Sequence, residues 1–280
     1  MQRLKQKHAI SIAVGIILCS LLLLAFVYAE PTDSKNQREQ TPTLFIHGYK
    51  GGPRSFQTML QRMEHNNWAE KAMVIHVAPN GDIVFGGRLA KHHNPLIQVI
   101  FAEDKASIAQ QTIWIEDILY RLKNIYEIDQ VNIVGHSMGG LTATNTILQD
   151  SMNKEFPHVE KLVVIASPFK GIDKNNYFKV NKGNAAVDLR PHSQALTNMI
   201  QRKTYFPPSI SVLAIAGVSN NYGTDGLVRL DSAMGIEAIV NEKQLKRKIF
   251  YNKRATHSGL HELEAVDQRI ATFLWENTLE

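Results

Sequence analysis

The sequence predicts a mostly parallel, doubly wound α/β sheet of about six core strands, and three features carry that expectation. Short β-rich runs recur at Thr43 to Ile46, Met73 to Val77, Val131 to Val134, Leu162 to Ala166, Val212 to Ala216 and Ile249 to Tyr251. Most are apolar throughout instead of alternating, as parallel strands buried on both faces must be. Between them stand amphipathic helical patterns, with Ile115, Ile118, Leu119 and Leu122 on one face and Val266, Ile270, Phe273 and Leu274 on another. Strand and helix in alternation build helical layers on a parallel sheet.

Taken in chain order, the first element is not part of that sheet. Arg3, Lys5 and Lys7 precede an uncharged apolar run, Ala9 to Ala29. It reads as an export signal or as a single membrane anchor whose basic end stays in the cytoplasm. The run reaches the ~20 residues a bilayer span needs. Val27-Tyr28-Ala29 ends in a small residue that a signal peptidase could accept, so cleaved and uncleaved fates both stand. Residues 30–40, EPTDSKNQREQ, are polar and aperiodic and read as a linker, which leaves 41–280 as the folded domain.

Charge and cysteine content narrow the function. The chain carries +5 from 31 bases and 26 acids, but three of the bases precede the apolar run, so the rest is nearly neutral. Its scattered lysines read as a solvated surface, and no nucleic-acid partner is expected. The single cysteine, Cys19, lies inside the apolar run. The domain therefore forms no disulfide of its own and is no thiol enzyme. Leu18 is too large for the usual lipoprotein cleavage signal.

Three stretches of the domain carry chemistry. The run QVNIVGHSMGGLTATNTIL passes from strand to helix through Gly135-His136-Ser137-Met138-Gly139. That is G-x-S-x-G in the context of a nucleophile elbow, where the serine occupies a strained turn and side chains at Gly135 or Gly139 would clash. An acid and then a histidine should follow, each in a loop after a later strand. Asp225 lies in NYGTDGLV, and His257 in NKRATHSGLHE. Asp225 could equally be a turn aspartate ahead of glycine, with Asp231 next in line for the acid role. His261 competes with His257 but falls on the first turn of the terminal helix. His257 and His261 do not fit a zinc-protease helix, since Ala265 stands where H-E-x-x-H needs its second histidine. No metal or cofactor is expected. His92 and His93, beside Asn94-Pro95, read as surface polar groups.

An oxyanion hole needs two backbone N–H groups. Met138 supplies one at the start of a helix. The loop LFIHGYKGGPRSF supplies the other from Tyr49, with Gly48 allowing a sharp reversal and Gly51-Gly52 a close approach to substrate. The side chains of Tyr49 and Met138 would then shape the pocket. Alternatively, Gly51-Gly52 ahead of Pro53 only turns the chain into a helix. Two further features are an inserted hairpin at Asn80-Gly81 and a long polar excursion, Lys170 to Pro208, with one possible helix, where a small cap would be built.

The set HGYKGG, VGHSMGG, ASPFKG, TDGLV and HSGLHE resembles the α/β-hydrolase superfamily, and within it the exported bacterial cell-surface hydrolases of the DUF915 family. NPLIQVIF, at Asn94 to Phe101, and HSGLHE are the stretches closest to that group. The resemblance extends over nearly everything after the linker and implies an α/β-hydrolase fold. It implies an exported serine esterase or lipase-like enzyme with catalytic Ser137, Asp225 and His257 and an oxyanion hole at Tyr49 and Met138. Its substrate would be a small-molecule, wall-associated or lipid-associated acyl ester, with the membrane reached through the N-terminal segment if that is uncleaved. The polar excursion favours soluble or wall-associated acyl groups over an interfacial lipase substrate. An acyltransferase would use the same residues, and a surface binding protein on the same fold would need none of them.

Overall fold

The computed structural model describes residues 41–89, 92–150, 153–174 and 176–275. The expected export or anchor segment, residues 1–29, and the expected linker, residues 30–40, lie outside these. Among the described residues no helix is long and apolar enough to cross a membrane.

The chain opens with β1 (Thr43–Ile46), whose four side chains are all buried. It then enters α1 (Arg54–His65), where Phe56, Met59, Leu60 and Met63 form a stripe at helical spacing and are buried. β2 (Glu70–Val77) and β3 (Ile83–Gly87) form the expected hairpin. Its turn closes through the Ala78 N–H to Asp82 O at 2.8 Å, with Gly81 at φ +92°. β4 (Pro95–Phe101) falls on NPLIQVIF and is buried along its whole length. α2 (Ile108–Asn124) is capped by Ser107, whose side chain accepts from the Gln110 N–H. β5 (Gln130–His136), α3 (Met138–Asp150) and β6 (His158–Ile165) follow.

The excursion after β6 holds three short helices instead of the one expected: α4 (Tyr177–Val180), α5 (Asn184–Asp188) and α6 (Gln194–Gln201). The first two are single turns, too short to show a helical period. β7 (Ser211–Val218), α7 (Leu230–Ala233), β8 (Leu245–Tyr251) and α8 (Glu264–Trp275) complete the order.

The eight strands form one sheet in the order β3-β2-β4-β1-β5-β6-β7-β8. All neighbours are parallel except β2 and β3. The sheet is thus the six expected strands plus the hairpin arm β3 and the added β4. Side chains alternate between two cores. Leu44, Ile46, Ile133, Leu162 and Val164 join one with α2 and α3, while Phe45, Val134, Val163 and Ile165 join the other with α1 and α8. Each apolar side chain fully buried this way contributes about 1.5–3 kcal/mol of transfer free energy.

The connection after β1 runs toward β2 on one side and the connection after β5 toward β6 on the other, so the chain parts between β1 and β5. Doubly wound sheets bind ligands in the crevice at the carboxyl ends of strands that part in this way. Ile46 stands opposite Gly135 in the β1–β5 register, which puts the loop after β1 beside the turn after β5.

Candidate active site

Ser137 occupies the turn between β5 and α3 at φ 54°. For a residue other than glycine this left-handed conformation costs of order 1–3 kcal/mol, and it persists only where surrounding packing enforces it. A Cβ on Gly139 would lie 2.2 Å from Ile46 O, and one on Gly135 would lie 2.5 Å from the Gly140 Cα. The flanking glycines are therefore required by contact with neighbouring backbone. The Ser137 N–H donates to Ile165 O at 2.8 Å, tying the turn to β6.

His257 stands in the loop after β8, ahead of a 3-10 turn at Gly259–Glu262. All four of its polar atoms are engaged. Its imidazole Nε2 lies 3.0 Å from Ser137 Oγ and its Nδ1 lies 2.8 Å from Asp225 Oδ2. Its backbone N–H donates to Asp225 O at 2.8 Å, and its carbonyl accepts from His136 Nε2 at 3.0 Å. Three of the four contacts come from Ser137 and Asp225. The fourth comes from His136, the variable residue before the serine.

Asp225 reconciles its two sequence readings by dividing them between its oxygens. Oδ1 accepts from the N–H groups of Leu227 at 2.8 Å and Val228 at 2.7 Å, making the turn expected of aspartate before glycine. Oδ2 is left to face His257. The residue is only 2% exposed, and both carboxylate oxygens are engaged in hydrogen bonds. Asp231, the other candidate acid, instead pairs at the surface with Arg229 at 3.2 Å.

Met138 begins α3, so its N–H has no acceptor within the helix. Gly48 is pressed against the same turn, where a Cβ would stand 2.8 Å from the Ser137 Cβ and 3.3 Å from Met138 N. Close approach, not reversal, is what Gly48 provides, because the left-handed residue of this loop is Lys50 at φ 58°. The chain leading into Tyr49 therefore passes beside the elbow. Gly51-Gly52 form the helix-entry turn, and neither is pressed against the elbow as Gly48 is. Gly51 packs on His47 and Gly52 leads into α1, its N–H donating to Ser55 Oγ at 3.0 Å. Nor does the Met138 side chain shape a pocket, since it is fully buried in the core. Tyr49 does reach outward, its hydroxyl donating to Lys182 O at 3.3 Å.

Two histidines that the sequence reading left without a role hold this arrangement. His47 Nε2 accepts from the Phe101 N–H at 3.0 Å, so the ring carries its proton on Nδ1, which lies 2.9 Å from Gly48 O. The neutral ring thus fixes the loop that presents Tyr49, and burial holds its pKa below the usual histidine value. His136 is buried between the rings of His257 and His261, at centroid distances of 4.8 and 5.0 Å. Burial, reinforced by those two neighbours, keeps its pKa well below the ordinary value, so it is neutral and donates through Nε2. The available signals were His47 in HG and His136 in GHSMG, but neither motif states what its histidine touches.

His261 faces His136 and Glu262, with Nδ1 3.0 Å from Glu262 Oε1, and is not in contact with Ser137. Arg62 of α1 donates to its carbonyl at 3.0 Å and to Asp267, bracing the loop from behind. His92 pairs at the surface with Glu70. Among the described residues no three His, Cys, Asp or Glu side chains gather as they would around a metal ion.

A Listeria innocua gene product, lin2722, is 29% identical over 85% of this chain and 94% of its own, with a TM-score of 0.74. A Lactobacillus plantarum WCFS1 protein, named as a candidate cell surface hydrolase, is 20% identical over 86% of this chain and 92% of its own, with a TM-score of 0.65. The mature lipase BlEst2 of Bacillus licheniformis shares the fold at 13% identity and a TM-score of 0.54, over 86% of this chain and 96% of its own. No curated protein matches the sequence. Residues 30–277 match the family described as "Alpha/beta hydrolase of unknown function (DUF915)", and the chain belongs to that family.

Proposed function

We propose that this α/β hydrolase is an exported serine esterase that cleaves carboxylic esters through an acyl-enzyme. The observation that supports the reading most directly is the chain of hydrogen bonds Ser137–His257–Asp225, at 3.0 and 2.8 Å. In this reading Ser137 Oγ attacks the ester carbonyl while its proton passes to His257 Nε2. Asp225 keeps the imidazole proton on Nδ1 and stabilises the imidazolium that forms. The carbonyl electrons move onto oxygen, where the N–H groups of Tyr49 and Met138 stabilise the negative charge. Collapse expels the alcohol, which takes the proton from His257. Water then repeats the sequence on the acyl-enzyme and releases the acid.

The test is labelling by a fluorophosphonate probe. The domain from Thr41 onward is expected to react, and Ser137→Ala and His257→Ala are expected not to. Labelling that survives Ser137→Ala would overturn the reading. The export proposal rests on Arg3, Lys5 and Lys7 ahead of the apolar run and on the name of the Lactobacillus neighbour. The mass of the mature protein and its partition between membrane and medium decide between cleavage after Ala29 and anchoring. An unprocessed chain recovered only from the cytosol would reject both.

A further inference from the structure

The stretches 169–174 and 176–182 follow the carboxyl end of β6 and are tied down on both sides of the nucleophile. On the β1 side, Tyr49 Oη donates to Lys182 O at 3.3 Å and Lys50 Nζ donates to Asn181 Oδ1 at 2.6 Å. On the β7 side, Lys174 Nζ donates to Gly226 O at 3.1 Å, next to Asp225. The N–H groups of Phe169 and Lys170 reach Ser232 O and Oγ, each at 3.1 Å. β5, which presents Ser137, lies between the β1 and β7 sides in the strand order. The segment therefore borders the crevice in which an ester must bind.

Lysines lie along this segment and on the β1 loop that holds it. Lys50, Lys174, Lys179 and Lys182 are exposed, and among the described residues none of the four forms an ion pair. Where their ammonium groups are hydrogen-bonded, the acceptors are neutral: Asn181 Oδ1, Gly226 O and, for Lys182, Phe178 O. A neutral acceptor positions an ammonium without cancelling its charge and leaves two N–H donors free. The acids on the same border are Asp104, whose carbonyl accepts from the Lys50 N–H at 3.0 Å, Asp173, and Asp231, which is paired with Arg229. The cations outnumber them, and a cleft edged by one sign of charge concentrates ligands of the other.

We propose that the site takes esters carrying an anionic group, a carboxylate or phosphate, outside the scissile bond, and that Lys50, Lys174, Lys179 and Lys182 recognise it. This rests on the serine-esterase reading above. The anion could be part of a soluble ester or of a lipid headgroup, and the chemistry of recognition is the same.

Two matched pairs of substrate test the proposal with the purified domain. One is 1-butyrylglycerol 3-phosphate against 1-butyrylglycerol, and the other is phosphatidylglycerol vesicles against phosphatidylcholine vesicles. Exposed charge pairs are worth roughly 1.4- to 5-fold each, so kcat/KM should favour the anionic member of at least one pair by about tenfold at low salt. The preference should shrink as salt shortens the screening length to about 3 Å near 1 M. Whichever pair shows it identifies the source of the anion. Substituting all four lysines by glutamine should bring the ratio close to one. If that variant does not fold, the four single Lys→Gln variants carry the test, each lowering the ratio about twofold. Equal rates in both pairs, or a preference that survives the substitutions, overturns the proposal. Failure of the esterase reading looks different: no fluorophosphonate label forms and no member of either pair is cleaved, and the proposal falls with it.

Discussion

The nucleophile elbow and the excursion after β6 face the same crevice but are held by different means. At the elbow, backbone contacts leave no room: Gly139 could not gain a Cβ without striking Ile46 O at 2.2 Å, and His257 is fixed at all four polar atoms. The excursion is joined to its surroundings largely through side chains, such as Lys50 to Asn181 and Lys174 to Gly226. Val180 and Val187 stand 76% and 58% exposed on it. A geometry set by backbone contact tolerates almost no substitution, whereas one set by long exposed side chains can be changed piecemeal. In the proposed reading, chemistry belongs to the first region and selectivity to the second.

The largest effect that would sharpen this contrast is expected from Asp225→Asn. Asparagine keeps an oxygen for the Leu227 and Val228 N–H groups, so the turn and the thermal midpoint should be preserved. An amide facing His257 Nδ1 would turn the imidazole to the wrong tautomer, lowering ester turnover by about three to four orders of magnitude. Unchanged turnover would remove Asp225 from the acid role. Next is His136→Ala, which deprives His257 O of its donor. An unmet buried acceptor costs about 1–3 kcal/mol, so kcat should fall by about tenfold or more with KM little changed. His136→Gln should recover part of the loss by restoring an N–H. If alanine and glutamine behave alike, the hydrogen bond is not what matters.

A smaller effect should appear in the pH dependence of stability. Burial lowers the pKa of His47, His136 and His261 in the folded chain. Below the ordinary histidine value of about 6.5 the unfolded chain therefore binds more protons than the folded one. Their contribution is complete above that pH and is lost as pH falls beneath it, so thermal midpoints should hold level at neutral pH and decline from about pH 6.5 downward. Asp188 and Asp267, whose pKa burial raises, the latter to about 6, oppose this with two groups against three, so a midpoint that rises on acidification would contradict the neutral histidines placed at the elbow. The smallest effect is expected from Asn181→Ala, which cuts a side-chain tie of the excursion. Turnover of a small neutral ester should change less than about fivefold, the scale of one net hydrogen bond, since the buried Asn181 acts on the excursion and not on the elbow. A loss as deep as that of His136→Ala would abolish the distinction between the two regions.

Much of this was legible because the elbow is a local structure. Gly135, Ser137 and Gly139 are adjacent in sequence, and the order of serine, acid and histidine follows from the order of strands. β1, β5, β6 and β7 were plain because strands buried on both faces are apolar along their length. β4 was harder, since Gln98 interrupts its apolar run, although that side chain is buried and donates to Pro53 O at 2.7 Å. Only the last three residues of β8 read as strand, because Lys246, Arg247 and Lys248 face solvent at the sheet's edge. The roles of His136 and His47 were not legible at all. His136 meets a carbonyl 121 residues away, and His47 an N–H 54 residues away, contacts that only the assembled fold creates.

The basic run that obscured β8 has a consequence of its own. Among the described residues β8 closes one side of the sheet and pairs only with β7, leaving its other side of N–H and C=O groups as a template for a further strand. An unpaired edge invites strand addition from another copy and so aggregation, and consecutive cations oppose it by repulsion between approaching copies. Replacing Lys246 and Lys248 with valine would improve the match to an ideal strand pattern while making the protein less soluble.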